Sequence, residues 1–145
     1  MHARAAAAAL LCGLLVAPTA GCVTAYGCAS WVDFEDEESR VAESGLVVDV
    51  EVVGRDGTEP MFGADAHAWA AEVRTVVADD DGDVRVGDRL RLVSTPDTCA
   101  AGGLYGDGDP LDTTDEVRVY LRQSDTDAEA WELLTPFQGV GPLVH

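Results

Sequence analysis

The side chains in this chain that could do chemistry are few, and their spacing decides more than their number. The histidines are His2, His67 and His145. His67 opens an alternating segment and His145 closes the chain, and neither sits in a local motif with a Ser or Cys nucleophile, so no catalytic triad is indicated. Paired carboxylates occur throughout, but with 27 acidic residues in 145 any pair is uninformative. The run Asp79-Asp80-Asp81-Gly82-Asp83 invites a calcium site. An EF-hand loop needs Gly at its sixth position and Glu at its twelfth, and the sixth residue from Asp79 is Val84. An acidic turn is the expectation there. Gly106-Asp107-Gly108-Asp109-Pro110 is read the same way, with a weakly held cation as the alternative. No Gly-rich segment follows a strand and opens a helix, so the nucleotide-binding signature is missing. Trp31, Trp69 and Trp131 are expected in the core or half-buried where a barrel closes; a groove for sugar or peptide is the alternative. The residues therefore predict no catalytic group, no cofactor and no metal ligand set.

Cysteine chemistry is more informative. Cys12 lies in Ala5–Val16, twelve consecutive Ala, Leu, Cys, Gly and Val residues behind a weakly positive start at His2 and Arg4. As a helix this run reaches about 18 Å, short of the roughly 30 Å hydrocarbon core, so an export signal fits better than a permanent span. It ends in Thr19-Ala20-Gly21-Cys22, which resembles the bacterial lipoprotein box, with Thr19 in place of the usual Leu. Small residues before the Cys let a peptidase hold extended backbone closely, and the Cys then becomes a lipidated N-terminus. Cys22 is thus the expected lipidation site, and residues 1–21 the lipoprotein signal peptide. The alternative is a secreted protein cleaved near Ala20, with Cys22 in a disulfide. With Cys12 removed and Cys22 acylated, Cys28 and Cys99 remain as an even pair in an oxidising compartment. A disulfide between them closes a loop of about 70 residues, worth roughly 4 kcal/mol on the chain-entropy model. Zinc is the rival, but two Cys without paired His do not complete four ligands.

Charge narrows the partners. All 27 acids follow residue 21, whereas Arg4 precedes it, so a chain starting at Cys22 sets eight Arg and no Lys against 27 acids, a formal charge of −19. Such a surface repels phosphates, which argues against nucleic acid. Solubility explains most of the acidity; a face for cations or a basic partner is the other reading.

Around these residues the patterning is mainly β. After a short tether over 22–29, acids and Arg over 36–44 predict a short helix stopped at Gly45. Gly45–Val53 is β-branched and apolar enough for a well-buried strand. Residues 54–65 carry Gly54, Gly57, Pro60 and Gly63 and predict a loop. His67–Val77 alternates as a strand, a helix being the alternative because Trp69, Val73 and Val76 fall at helical spacing. Val84–Thr95 predicts a strand entered through a bend at Gly87-Asp88, and residues 96–114 a long loop. Glu116–Arg122 places Val117, Val119 and Leu121 inward and Glu116, Arg118, Tyr120 and Arg122 outward. Trp131–Leu134 is the last strand. Five strands with few helical signals predict a small barrel or sandwich.

The order of these pieces is familiar. Cys28 precedes a short linker and Ser44-Gly45-Leu46-Val47-Val48; His67–Val77 leads to Val86-Gly87-Asp88-Arg89-Leu90-Arg91-Leu92. Cys99 follows in a loop, then Val117-Arg118-Val119-Tyr120-Leu121, Trp131-Glu132-Leu133-Leu134 and Pro136-Phe137-Gln138-Gly139-Val140. Over roughly residues 28–142 this resembles small exported bacterial proteins with the netrin-like oligonucleotide/oligosaccharide-binding (OB) barrel, the fold of the tissue inhibitors of metalloproteinases. The resemblance implies a five-stranded OB-like barrel over 30–144 and the Cys28–Cys99 bridge. Those inhibitors chelate a protease zinc through the free amine and carbonyl of an N-terminal Cys. Here Cys22 and five further residues precede Cys28, and an acylated Cys22 has no free amine, so the chelating mechanism does not carry over.

The resulting expectation is a non-catalytic binding module, lipid-anchored to the extracytoplasmic face of the cell membrane. Its predicted partner is an extracellular protein or glycan, met on the loops after residues 54 and 96. A protease-inhibitor-like protein acting by loop contact is the first alternative, and an uncharacterised secreted enzyme the second.

Overall fold

A computed structural model describes residues 28–143. The segment expected to be a signal peptide, Cys22, most of the expected tether and His145 lie outside the described residues. Among the described residues the one helix, α1 (Glu37–Glu43), is followed by strands β1 (Leu46–Met61), β2 (Ala64–Asp79), β3 (Arg89–Val93), β4 (Glu116–Gln123), β5 (Ala130–Leu133) and the two-residue β6 (Val140–Gly141). Among the described residues no helix is long and apolar enough to cross a membrane.

The chain is mainly β, as expected, and its sheet closes on itself. The strands run β1-β2-β3-β5-β4, β4 pairs back onto β1, and β6 adds to the far side of β4. All pairings are antiparallel except β3 with β5. Leu46 is shared by both neighbours, opposite Asp79 on one side and Leu121 on the other. A strand paired on both edges and bent by four register shifts against β2 curls the sheet into a ring.

The interior is made of alternate residues of this ring: Leu46, Val48 and Val50 from β1, Trp69, Ala71 and Val73 from β2, Leu92 from β3, Val119 and Leu121 from β4 and Leu133 from β5. Leu111, from the long loop, plugs it and is fully buried. Residues 46–50 are all buried because the outer face is covered as well. There Val47, Tyr120 and Leu134 form a second cluster under Phe34 and Val41, the latter on α1. Tyr120, expected outward by alternation, is therefore only 1% exposed: alternation does put it on the outer face, but α1 turns that face into interior.

Local chemistry accounts for α1. Asp36 is its N-cap, its carboxylate accepting from the Ser39 amide at 2.8 Å while the Asp36 amide donates to Ser39 Oγ at 3.4 Å. The helix ends one residue before the expected glycine stop. Ser44 is already extended, and the Gly45 amide donates to Leu121 O at 2.9 Å, so entry into the sheet ends the helix rather than a left-handed glycine.

The loop expected over 54–65 is instead a strand arm. β1 continues to Met61 and β2 starts at Ala64, with only Phe62-Gly63 between them. Both have positive φ, 52° and 81°, the mirror-image turn whose twist suits a hairpin. Gly54 lies at one register shift and Gly57 (φ 82°) in another, so two of the expected loop signals are bulges within a bent hairpin. The third strand is shorter than expected. Gly87 (φ 90°) turns the chain, its amide donating to Val73 O at 2.8 Å, and regular pairing starts only at Arg89.

Candidate functional site

Three segments meet at the end of the ring marked by the β1–β2 hairpin tip, and each is held by a specific set of bonds. The first is the N-terminal segment from Cys28 to Phe34. Cys28 and Cys99 are within bridging distance, Cα to Cα 4.9 Å, the expected pairing. Further along, the Gln138 side chain clamps Phe34 from both sides: its Oε1 accepts from the Phe34 amide at 2.8 Å and its Nε2 donates to the Phe34 carbonyl at 3.0 Å.

The second segment is the turn that carries Gln138. Gly139 donates to Thr135 O at 3.1 Å, and a Cβ on Gly139 would lie 2.6 Å from that oxygen and 2.7 Å from Leu133 Cβ. Only glycine fits. The Pro136-Phe137-Gln138-Gly139-Val140 phrase thus has a physical basis: Gly139 permits the tight turn and Gln138 ties the N-terminal segment to it. Phe137 between them has no partner in the core and is 67% exposed.

The third segment is the long loop after β3, organised by Asp109. Its Oδ2 lies 2.6 Å from His67 Nδ1 and accepts from Trp69 Nε1 at 3.0 Å; its Oδ1 accepts from Ser94 Oγ at 2.5 Å and from the Leu111 amide at 3.0 Å. Tyr105 completes the knot, its hydroxyl accepting from the His67 amide at 2.8 Å and donating to Ser94 O at 2.9 Å, its ring tilted against the His67 imidazole. Burial pushes the Tyr105 phenol up to about 12, with the Asp109 charge adding to the effect, so it stays a neutral donor.

An Asp–His pair at this distance is how a general base is oriented. Here, however, Ser94 is fully buried and gives its proton to Asp109, whereas in a triad the hydroxyl faces the other imidazole nitrogen. The order of contacts is that of a carboxylate collecting donors from β2, the end of β3 and the loop, which seats Leu111 in the ring. Among the described residues no three His, Cys, Asp or Glu side chains converge on a point that would hold a metal.

Between the three segments the surface is apolar and creased. Trp31 stacks edge-on against Phe62 of the hairpin tip, ring centres 5.4 Å apart and planes at 77°. Beside them Val32 is 66% exposed. A cleft of about 530 Å³ runs between the Trp31–Val32 backbone, Cys99 and Phe137. A second of about 280 Å³ lies between Phe137, Pro136, Leu104 and Tyr105, and a third of about 460 Å³ between Ala64, Thr98 and Leu104. The charged residues lining these clefts are Asp33, Asp65, Asp97 and Asp107, all acidic, and Asp97 borders all three.

Of the residues singled out by sequence, Cys28 and Cys99 are brought together, Cys22 lies outside the described residues, and the three tryptophans take different roles. Trp69 is buried, Trp131 packs against the interior, and Trp31 is half-exposed at the clefts. Sequence reasoning missed Asp109, His67 and Tyr105 as a unit, since His67 lies 38 residues before Tyr105 and 42 before Asp109. The residue-54 loop, expected as a contact region, is strand; the loop after residue 96 does border the clefts. No protein-family model matches the chain, and a search of the curated proteins returns no match.

Proposed function

We propose that the mature protein is a lipid-anchored binding module of the extracytoplasmic surface, an OB-like barrel of netrin type that meets a protein or glycan through the Trp31, Val32, Phe62 and Phe137 face. Phe137 carries the reading. A large aromatic is held out of the core between a glycine-dependent turn and a two-bond clamp, which is how a protein presents a rigid contact residue. The ring order β1-β2-β3-β5-β4, with β3 parallel to β5, supports the OB-like assignment. Thr19-Ala20-Gly21-Cys22 supports the anchor. Cys22 and Cys28 are six residues apart, so even a fully extended tether spans at most about 20 Å, which favours partners met close to the membrane.

The test is photo-cross-linking on intact cells from position 137, compared with position 86. Val86 is equally exposed, but it follows the opposite end of the sixteen-residue β2. A defined adduct from 137 and none from 86 supports the face; equal labelling from both removes it. The anchor is tested separately by the intact mass of detergent-extracted protein, which should begin at residue 22 and carry acyl chains. Release from cells without detergent rules the anchor out.

One observation favours inhibition of a protease by loop contact as the second reading. The Cys28–Cys99 pair joins the N-terminal segment to the Cys99 loop, so that the two would meet a protease as one unit. Stoichiometric slowing of an extracellular metallo- or serine protease supports it, and a blank panel across both classes excludes it.

A further inference from the structure

We infer that the occupant of the Trp31–Phe137 face is a basic, amphipathic protein segment: an extended stretch whose apolar side chains enter the clefts and whose Arg or Lys side chains meet the acidic rim. This rests on the proposal that the face is a binding surface, and it selects among the partners that proposal allows.

Charge complementarity carries the argument. The clefts are lined in part by Trp31, Val32, Leu104, Pro136 and Phe137, which offers aliphatic and aromatic anchors a place. Their charged lining, the acidic rim, is Asp33, Asp65, Asp97 and Asp107, with no cation beside them in the lining among the described residues. Elsewhere several acids have arginine partners: Asp49 and Glu37 share Arg118, Glu59 and Asp127 share Arg91, and Glu132 meets Arg122. Arg55 lies over the Trp69 ring and its charge reaches Tyr105, but among the described residues no arginine lines the clefts, whose own charges are carboxylates. An acidic or phosphorylated partner is repelled there and an uncharged glycan gains nothing from the rim. A cation beside an apolar anchor gains on both counts. The three clefts meet at Asp97, with Phe137 and Leu104 each bordering two of them, so a segment that spans more than one cleft reaches several anchors where a single compact ligand reaches one.

The experiment uses the full mature chain and a random displayed peptide library, selected at about 0.1 M ionic strength. Recovered peptides should be enriched in Arg and Lys interleaved with Leu, Trp or Phe. Their binding should fall about thirtyfold with Phe137→Ser, the scale of a central contact residue. It should fall about fivefold to tenfold with Asp33→Asn plus Asp97→Asn, the scale of two partly exposed charges. Asp80→Asn plus Asp81→Asn, the same charge change at the far end of β2, should leave it unchanged. Retention of fold is read from the thermal transition of each variant. Equal losses from the two Asp pairs would mean that overall acidity, not the rim, attracts the peptides, and would overturn the inference. So would recovered peptides without basic bias, or no recovered peptides. Apolar peptides lost with Phe137→Ser but indifferent to Asp33 and Asp97 would overturn the basic partner and leave the face standing. Basic peptides indifferent to Phe137→Ser would overturn the face itself.

Discussion

Asp109 shows how one carboxylate can organise a long loop. It takes hydrogen bonds from a tryptophan, a serine and a backbone amide and pairs with a histidine, all in a site where its side chain is 5% exposed. Replacing it by alanine strands those donors, and we expect a loss of about 3 kcal/mol or more in urea unfolding. Asp109→Asn, which keeps an acceptor oxygen, should lose less. Tyr105 makes a prediction with a sign. Its phenol pKa is raised from 10.0 to about 12 by burial, so the folded state holds that proton more tightly than the unfolded chain. The associated stability is complete below pH 10 and is lost as pH rises from there through about 12. Burial raises the Tyr120 phenol as well, so a phenolate titration should show a late tyrosine wave that coincides with unfolding, and Tyr105→Phe should shrink it without abolishing it.

Among the elements, α1 is held from outside, mainly by polar contacts. Arg118 bridges Asp49 on β1 and Glu37 on the helix, Tyr120 Oη donates to Glu37 at 2.8 Å, and the Arg40 guanidinium lies over the Tyr120 ring. The Tyr120 hydrogen bond, followed by that from Arg118, holds the Glu37 carboxyl below its usual range. The Ser39 amide, followed by the Ser39 hydroxyl, does the same for Asp36. Lowered carboxyl values contribute stability above the ordinary carboxylate range and lose it as pH falls below that range. Acid should accordingly loosen α1 from the ring before the sheet opens. The protection of the Val41 to Glu43 amides, relative to their intrinsic exchange at each pH, should fall on acidification while that at Val48 and Val119 does not, and Glu37→Gln should bring the same loosening at neutral pH. The β1–β2 hairpin behaves differently, because its turn is set by two left-handed residues and its arm by continuous pairing.

For the molecule as a whole, the ring of strands is complete without the disulfide, whereas the cleft-lined face proposed for binding is not. Cys28 and Cys99 are 71 residues apart in sequence, and the bridge pins the N-terminal segment to the long loop along the cleft that ends at Phe137. On the chain-entropy model such a loop contributes about 4 kcal/mol. Both cysteines are solvent-exposed, so mild reductant should reach them. Reduction should lower the denaturation midpoint and release the segment before Phe34, with the sheet signature in circular dichroism retained. A reduced protein as stable as the oxidised one would contradict the bridge as a structural constraint.

Much of the architecture was written in local chemistry. The mainly β character, the short helix with its acidic first turn, the strand centres and the even cysteine pair all follow from propensity, periodicity and parity, which neighbouring residues determine. Gly139 and Gln138 were likewise visible as a phrase before their work was. Long-range packing decided the rest. Bulge glycines and loop glycines have the same composition, so only pairing across the hairpin shows that Gly54 and Gly57 lie within a strand. Alternation assigns Tyr120 to one face of β4 but not what covers that face. His67 meets Tyr105 and Asp109 from 38 and 42 residues away, and nothing near it in sequence signals either of them. Phe137 has the composition of a core residue, and only the folded turn shows it to be 67% exposed.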